Sequence, residues 1–140
     1  MNSHFRCLSL VILSALANLS AVAGTIHAAV VPEHLTEGTT YGILFLALAV
    51  LQLGFADWLL RTPNRGMLTA AAGLNVAVAL LWLASRTTGL PFGPHAFQAE
   101  AVGFLDVACT AAEVAVAAGC LWLLRSAPAP TRRLAAVRAT

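Results

Sequence analysis

Four long stretches of this chain carry almost no charge, and they restrict its fold more than any other feature. Residues 7–31, 38–56 and 66–85 contain no acidic residue and no arginine or lysine, and residues 99–124 contain three acidic residues. An apolar helix of about 20 residues crosses the ~30 Å hydrocarbon core of a bilayer. The chain is 59% hydrophobic and 10% charged, whereas about 25% charged is usual for soluble domains. The sequence therefore predicts an all-α protein, a bundle of four transmembrane helices.

The predicted helices cover about residues 8–31, 41–60, 67–86 and 99–124, within one domain of residues 1–126. Pro32 is expected to end the first helix, because proline has no N–H and disfavours helix at the residue before it. A separate short helix over residues 32–37, closed by Gly38, is expected to follow. Residues 127–140 are predicted to form a flexible basic tail in the cytoplasm.

The arginines indicate the orientation in the membrane. Three short connections between four spans make the loops alternate between the two faces, so seven of the eight arginines share one face. Because positive residues favour the cytoplasmic side, we expect both termini in the cytoplasm and the chain in a bacterial inner membrane. These basic ends suit the anionic inner leaflet of a lipid bilayer rather than a nucleic acid. The seven are Arg6, Arg61, Arg65, Arg125, Arg132, Arg133 and Arg138.

The first stretch imitates a secretory signal peptide. Arg6 is followed by an apolar run and by Ala21-Val22-Ala23, which has the form of a cleavage site. The uncharged run nevertheless continues to Val31, which is long for a signal peptide and sufficient for a span. We therefore expect the segment to be retained as the first transmembrane helix.

Polar residues inside the predicted spans are the candidate functional groups. Asp106 and Glu113 share one face of the fourth helix, since helical residues advance by about 100° each. A carboxylate at the centre of a span costs about 2.5–3.5 kcal/mol on the insertion scale, so this face should turn towards the bundle. Asn75 is the predicted hydrogen-bond partner of Glu113, and Arg86 the predicted ion-pair partner of Asp106. Gln52 lies near mid-depth of the second helix.

Histidines and acids at the predicted outer rim form a candidate metal site. His27, His34 and Glu37 lie near the end of the first helix, and His95 lies in the loop before the fourth. Imidazole and carboxylate groups bind Zn²⁺, Cu²⁺ or Fe²⁺, so a transition metal ion is the cofactor that this set suggests. The chain has no HExxH or CxxC motif, and an ordinary polar surface is the competing interpretation. The three cysteines are interpreted as small buried apolar side chains: Cys7, Cys109 and Cys120.

Three segments resemble a known group of proteins. They are His27-Ala-Ala-Val-Val-Pro-Glu-His34, the stretch Ser85-Arg-Thr-Thr-Gly-Leu-Pro-Phe-Gly-Pro94, and Glu100-Ala-Val-Gly-Phe-Leu-Asp106. They look like segments of small four-helix membrane proteins predicted from actinobacterial and related genomes. The resemblance implies the same topology and a single site for the marked histidine, arginine and acidic positions. It supplies no catalytic residues.

Three functions are compatible with these features. The leading hypothesis is a protein that binds or helps to transport a small cation, a transition metal ion or a proton. His27, His34 and Glu37 would capture the ion, and Asp106 and Glu113 would carry it inward. Four helices leave little room for an ion pathway within a single chain, so a homo-oligomer or a larger membrane complex is expected. The alternatives are a structural accessory subunit and a lipid- or quinone-linked enzyme, for which the sequence offers no nucleophile–base pair.

Overall fold

The computed structural model describes residues 3–93 and 95–126. Over these residues the chain forms four α-helices and no strand: α1 (Ser3–Glu37), α2 (Thr39–Arg61), α3 (Arg65–Thr87) and α4 (Phe104–Ser126). All four are long and apolar enough to cross a membrane. The predicted fold class, an all-α bundle of four transmembrane helices, is confirmed. The predicted tail at residues 127–140 lies outside the described part of the chain.

The first helix is longer than the sequence predicted. Pro32 lies inside α1, which continues to Glu37 without a separate short helix. The predicted end at residue 31 is therefore wrong. Beyond the proline, α1 packs against α2: the His34 ring lies at a centroid distance of 3.8 Å from the Phe45 ring. A Cβ on Gly42 would overlap the Leu35 side chain, so α2 comes close to the last turn of α1.

The fourth helix begins at Phe104, later than the predicted residue 99. Asp106 explains this start, because its Oδ2 accepts a hydrogen bond from the Gly103 N–H at 2.9 Å. A third-position acid that bonds back to the N-cap N–H is one half of a capping box. The preceding segment is held along the end of α3, where the Glu100 N–H donates to the Ser85 carbonyl at 3.0 Å.

The order of the helices in space differs from their order in the chain. α1 packs most extensively on α2, α3 packs on α4, and α1 also packs on α4. Helices α2 and α3 contact each other at few positions, although a short turn joins them. The main buried core lies between α1, α3 and α4 with one residue of α2, and its members include Leu16, Leu59, Ala71, Val116 and Cys120.

The two ends of the bundle differ in charge. Arg61 and Arg65 flank the turn between α2 and α3, and the Arg65 guanidinium donates to the Leu124 carbonyl at 3.1 Å. At the opposite end, Arg86 lies with the acidic residues Glu100 and Asp106. The separation of charged residues between the two ends agrees with the sequence, whereas the orientation of the bundle across a membrane stays a prediction.

Candidate metal centre

A histidine, a cysteine and a glutamate meet in the interior of the bundle. The Nε2 of His27, the Sγ of Cys109 and a carboxylate oxygen of Glu113 all lie within 4.8 Å of one another. His27 comes from α1, and the other two residues lie one turn apart on α4. All three residues are buried, and Glu113 is only 1% exposed. These are three residue types that bind transition metals in proteins.

Glu113 is the acceptor at the centre of this group. Its Oε1 lies 2.9 Å from His27 Nε2 and accepts a hydrogen bond of 2.9 Å from the Gln52 side-chain amide. The Cys109 thiol lies 3.8 Å from the same oxygen. Three helices therefore contribute side chains around one carboxylate oxygen. Hydrogen bonds of this kind are what a carboxylate needs when burial removes it from water.

The positions of the helices are fixed by contacts close to the group. Ser20 lies on the same face of α1 as His27, two turns earlier in the helix. Its hydroxyl donates a hydrogen bond of 2.8 Å to the Gln52 carbonyl and so joins α1 to α2. Gly24 brings the same two helices together, because a Cβ there would lie 3.1 Å from the Leu53 nitrogen and 3.2 Å from the Ala49 carbonyl oxygen. The close approach of α1 and α2 places Gln52 beside the α1–α4 contact.

The arrangement differs from that of a catalytic triad. In a triad, the imidazole uses one nitrogen for the nucleophile and the other for the carboxylate. Here the same nitrogen, His27 Nε2, lies 3.6 Å from Cys109 Sγ and 2.9 Å from Glu113 Oε1. His27 Nδ1 is buried and has no hydrogen-bond partner among the described residues. The three groups converge on one point rather than forming a relay.

The distances can be compared with those around a tetrahedral zinc ion. Bonds of about 2.3 Å to sulfur and about 2.0–2.1 Å to nitrogen and oxygen place the ligand atoms roughly 3.3–3.6 Å apart. The sulfur lies 3.6 Å from the His27 nitrogen and 3.8 Å from the Glu113 oxygen, close to those values. The nitrogen and oxygen are 2.9 Å apart, because a direct hydrogen bond joins them. Roughly half an ångström of separation would admit the ion.

The group opens onto a cavity in the same half of the bundle. The cavity has a volume of about 100 Å³, and residues of all four helices line it. His27, Cys109 and Glu113 form one part of its wall, and Arg86 and Asp106 form another. A three-ligand site beside a cavity can keep its fourth coordination position open, as catalytic and exchange sites do.

Two of the polar contacts expected from the sequence have different outcomes. The predicted pair of Arg86 and Asp106 is confirmed, with a nitrogen–oxygen distance of 2.9 Å. The predicted hydrogen bond between Asn75 and Glu113 is wrong, because the Asn75 amide donates to the Ala71 carbonyl of its own helix at 2.8 Å. Gln52 takes that position instead, since its amide reaches Glu113 from α2.

The candidate ligands predicted from the sequence are only partly brought together. His27 belongs to the group described above. His34 lines the cavity, but its Nδ1 lies 2.9 Å from the Val30 carbonyl oxygen and its Nε2 lies 4.0 Å from a Glu37 oxygen. His95 is exposed in the loop before α4. His34, Glu37 and His95 thus do not join His27 in one cluster within the part of the chain that the structure describes.

Cys109 is the functional candidate that sequence reasoning passed over. The sequence favours an apolar role for it, because the three cysteines are scattered and form no CxxC motif. One signal was present: Cys109 and Glu113 are four residues apart, which places both on one face of a helix. That spacing alone is common, and the histidine that completes the group lies 82 residues earlier in the chain.

No family model matches the chain, and no match was found among the curated proteins or the solved structures.

Proposed function

We propose that this protein is a small membrane protein that binds one transition metal ion between α1 and α4. The proposed ligands are His27, Cys109 and Glu113. The observation that supports it best is the convergence of one nitrogen, one sulfur and one oxygen within 4.8 Å in a buried position. Gln52 would hold the ligating carboxylate in place, as outer-shell hydrogen bonds do in metal sites.

The mixture of ligands favours Zn²⁺ among the common ions. A single thiolate with an imidazole and a carboxylate is a borderline-soft set, and zinc accepts all three donors in tetrahedral geometry. Calcium and magnesium prefer sets made of oxygen alone. Since Cys109 must lose its proton to bind, uptake of zinc should release protons and weaken as the pH falls.

The zinc content of the purified protein tests this proposal. The full chain in detergent micelles should contain about one zinc ion per chain, as a three-ligand site would hold. Cys109→Ser should lower that content by at least tenfold, because a hydroxyl is a poor zinc ligand. Cys120→Ser is the matched control, since Cys120 is a buried cysteine on the same helix outside the group.

Cobalt gives a second measurement on the same samples. Co²⁺ bound to the native protein and to Cys120→Ser should show a thiolate-to-metal charge-transfer band, and Cys109→Ser should not. Gel filtration confirms that each variant is folded. A native protein without bound metal, or equal zinc in Cys109→Ser and Cys120→Ser, would contradict the proposal.

A second candidate function is purely structural, and the hydrogen bonds around Glu113 favour it. They connect α1 to α4 through His27 and α2 to α4 through Gln52. Such bonds could hold together a small subunit of a larger membrane complex, without any ion. A metal-free native protein that co-purifies with one partner would support this candidate. The metal-binding function instead requires that the native protein contains zinc and that Glu113→Gln loses it.

The place of the site in the cell is also a proposal. With both termini in the cytoplasm of a bacterial inner membrane, the cavity lies in the outer half of the bilayer. The metal site would then exchange ions with the outer side through the rim formed by His34 and Glu37. A transport role would need a homo-oligomer or a partner, because the four helices are already packed around the group.

A further inference from the structure

Two residues on the wall of the cavity carry buried donors that have no acceptor among the described residues. Trp82 and Arg86 both line it, one helical turn apart on α3. The indole Nε1 and the guanidinium Nε are buried, and neither has a hydrogen-bond partner among the described residues. A buried donor without an acceptor costs about 1–3 kcal/mol. Two such donors on one wall indicate that a molecule bound in the cavity presents an acceptor to them.

The charges around these donors argue against an anion. The Arg86 guanidinium is already paired with Glu100 at 2.5 Å and with Asp106 at 2.9 Å. Glu113 adds a third carboxyl group to the same cavity. An anionic ligand would meet three acidic groups and one arginine whose charge is compensated. An uncharged molecule with an oxygen acceptor satisfies the donors without that repulsion.

The size and the lining of the cavity limit the ligand further. Its volume of about 100 Å³ compares with the ~150 Å³ cavity that binds benzene in another protein. The present cavity is the smaller of the two, so it admits the carbonyl end of a larger molecule rather than a whole substituted ring. The remaining wall is largely apolar, and its members include Val30, Leu44, Phe45, Leu48, Val78 and Leu81.

The packing of the helices offers a route from the bilayer. α2 and α3 both line the cavity, yet they contact each other at few positions. Leu44 on α2 and Leu81 on α3 both line the cavity. A molecule dissolved in the hydrocarbon core can approach the cavity between them.

We infer that the cavity binds an uncharged, bilayer-soluble carbonyl compound, whose oxygen accepts hydrogen bonds from Trp82 Nε1 and Arg86 Nε. A quinone ring and an ester group of a neutral lipid share this chemistry. Side chains four residues apart on a helix are neighbours, so one carbonyl oxygen with two lone pairs can accept from both. The inference does not rest on the metal site, because its donors lie on α3 and the proposed ligands lie on α1 and α4.

Binding of three probes to the full chain in detergent micelles tests the inference. The probes are tetramethyl-1,4-benzoquinone, dioctanoylglycerol and tetramethylbenzene, and calorimetry gives each affinity. The hydrocarbon has the ring size of the quinone but no acceptor. At least one carbonyl compound should bind about tenfold more tightly than tetramethylbenzene, and the better of the two identifies the source of the carbonyl.

Variants then connect binding to the two donors. Trp82→Phe keeps a ring but removes the N–H, and Arg86→Lys keeps the charge but removes Nε. Each should weaken binding of the better carbonyl compound about fivefold. Trp122→Phe changes an exposed residue of α4 that does not line the cavity and should leave binding unchanged. Zinc in the same samples reports separately on the metal site and should not change in these variants.

Two outcomes would overturn the inference. One is that both carbonyl compounds bind no more tightly than tetramethylbenzene. The other is that Trp82→Phe and Trp122→Phe have the same effect on binding. Gel filtration shows whether a variant with weak binding is still folded.

Discussion

Glu113 shows how a carboxyl group can be kept in the middle of a membrane span. The insertion scale assigns the similar carboxylate of aspartate a cost of about 2.5–3.5 kcal/mol at the centre of a helix. In the bundle Glu113 is 1% exposed and is surrounded by His27, Gln52 and Cys109. The donors belong to three helices, so no single helix provides a favourable environment for this group before the bundle has formed.

The hydrogen bond from Ser20 to the Gln52 carbonyl is the simplest of these interhelical contacts to test. Ser20→Ala should lower the free energy of unfolding in micelles by about 0.6 kcal/mol, the mean for such bonds in a membrane protein. Thr25→Ala is the control, because Thr25 is exposed and its hydroxyl bonds to the Ala21 carbonyl of its own helix. Equal effects of the two substitutions would show that the contact between helices contributes nothing.

Part of this site could be read from the sequence, and the reason for the rest is physical. The face of α4 that carries Asp106 and Glu113 was predictable, because polar residues on an apolar helix mark the side turned inward. It was not predictable that Gln52, rather than Asn75, donates a hydrogen bond to Glu113. Both amides lie near mid-depth of their helices, and lipid and protein core are equally apolar. The sequence therefore gives little indication of how α2 and α3 are rotated in the bundle.

At the level of the helices, close packing depends on small residues. A Cβ at Gly24 would lie 2.9 Å from the Leu53 side chain and close to two backbone atoms of α2, whereas one at Gly73 would meet nothing within 4 Å. The first glycine permits a close contact between helices. The second has no such role, since its face of α3 is exposed.

Alanine at these two glycines should have opposite effects. Gly24→Ala should destabilise the fold by about 1–3 kcal/mol, because backbone atoms of α2 must move to admit the methyl group. Gly73→Ala should leave stability unchanged or raise it by up to about 1 kcal/mol, since alanine favours a helix more than glycine does. Unfolding followed by circular dichroism measures both, and a loss of similar size at Gly73 would contradict this explanation.

The helix ends show where reasoning from the sequence was incomplete. Pro32 was expected to stop α1, yet the helix continues past it, with His34 packed against Phe45. Local propensity is a weak constraint where a neighbouring helix holds the chain. The late start of α4 had a local cause, the bond from Gly103 to Asp106. A prediction that extends the helix over the whole apolar stretch does not take this capping bond into account.

For the whole molecule, the uneven distribution of arginine leads to a test of orientation. Green fluorescent protein joined after Thr140 should fluoresce in bacteria, because both termini are predicted in the cytoplasm. Alkaline phosphatase inserted after Gly89 should be active, and the same enzyme inserted after Asn64 should not. Asn64 lies in the turn beside Arg61 and Arg65. Activity after Asn64 but not after Gly89 would reverse the orientation.

The weak contact between α2 and α3 has a consequence for biogenesis. The molecule consists of two helical hairpins, α1 with α2 and α3 with α4, and α1 and α4 form most of the junction between them. The ribosome completes the first hairpin before the second exists, so the halves can enter the membrane separately and dock later. His27 belongs to the first hairpin, and Cys109 and Glu113 belong to the second. An ion that binds all three would therefore favour the docked state, and its supply would affect how much of the protein matures.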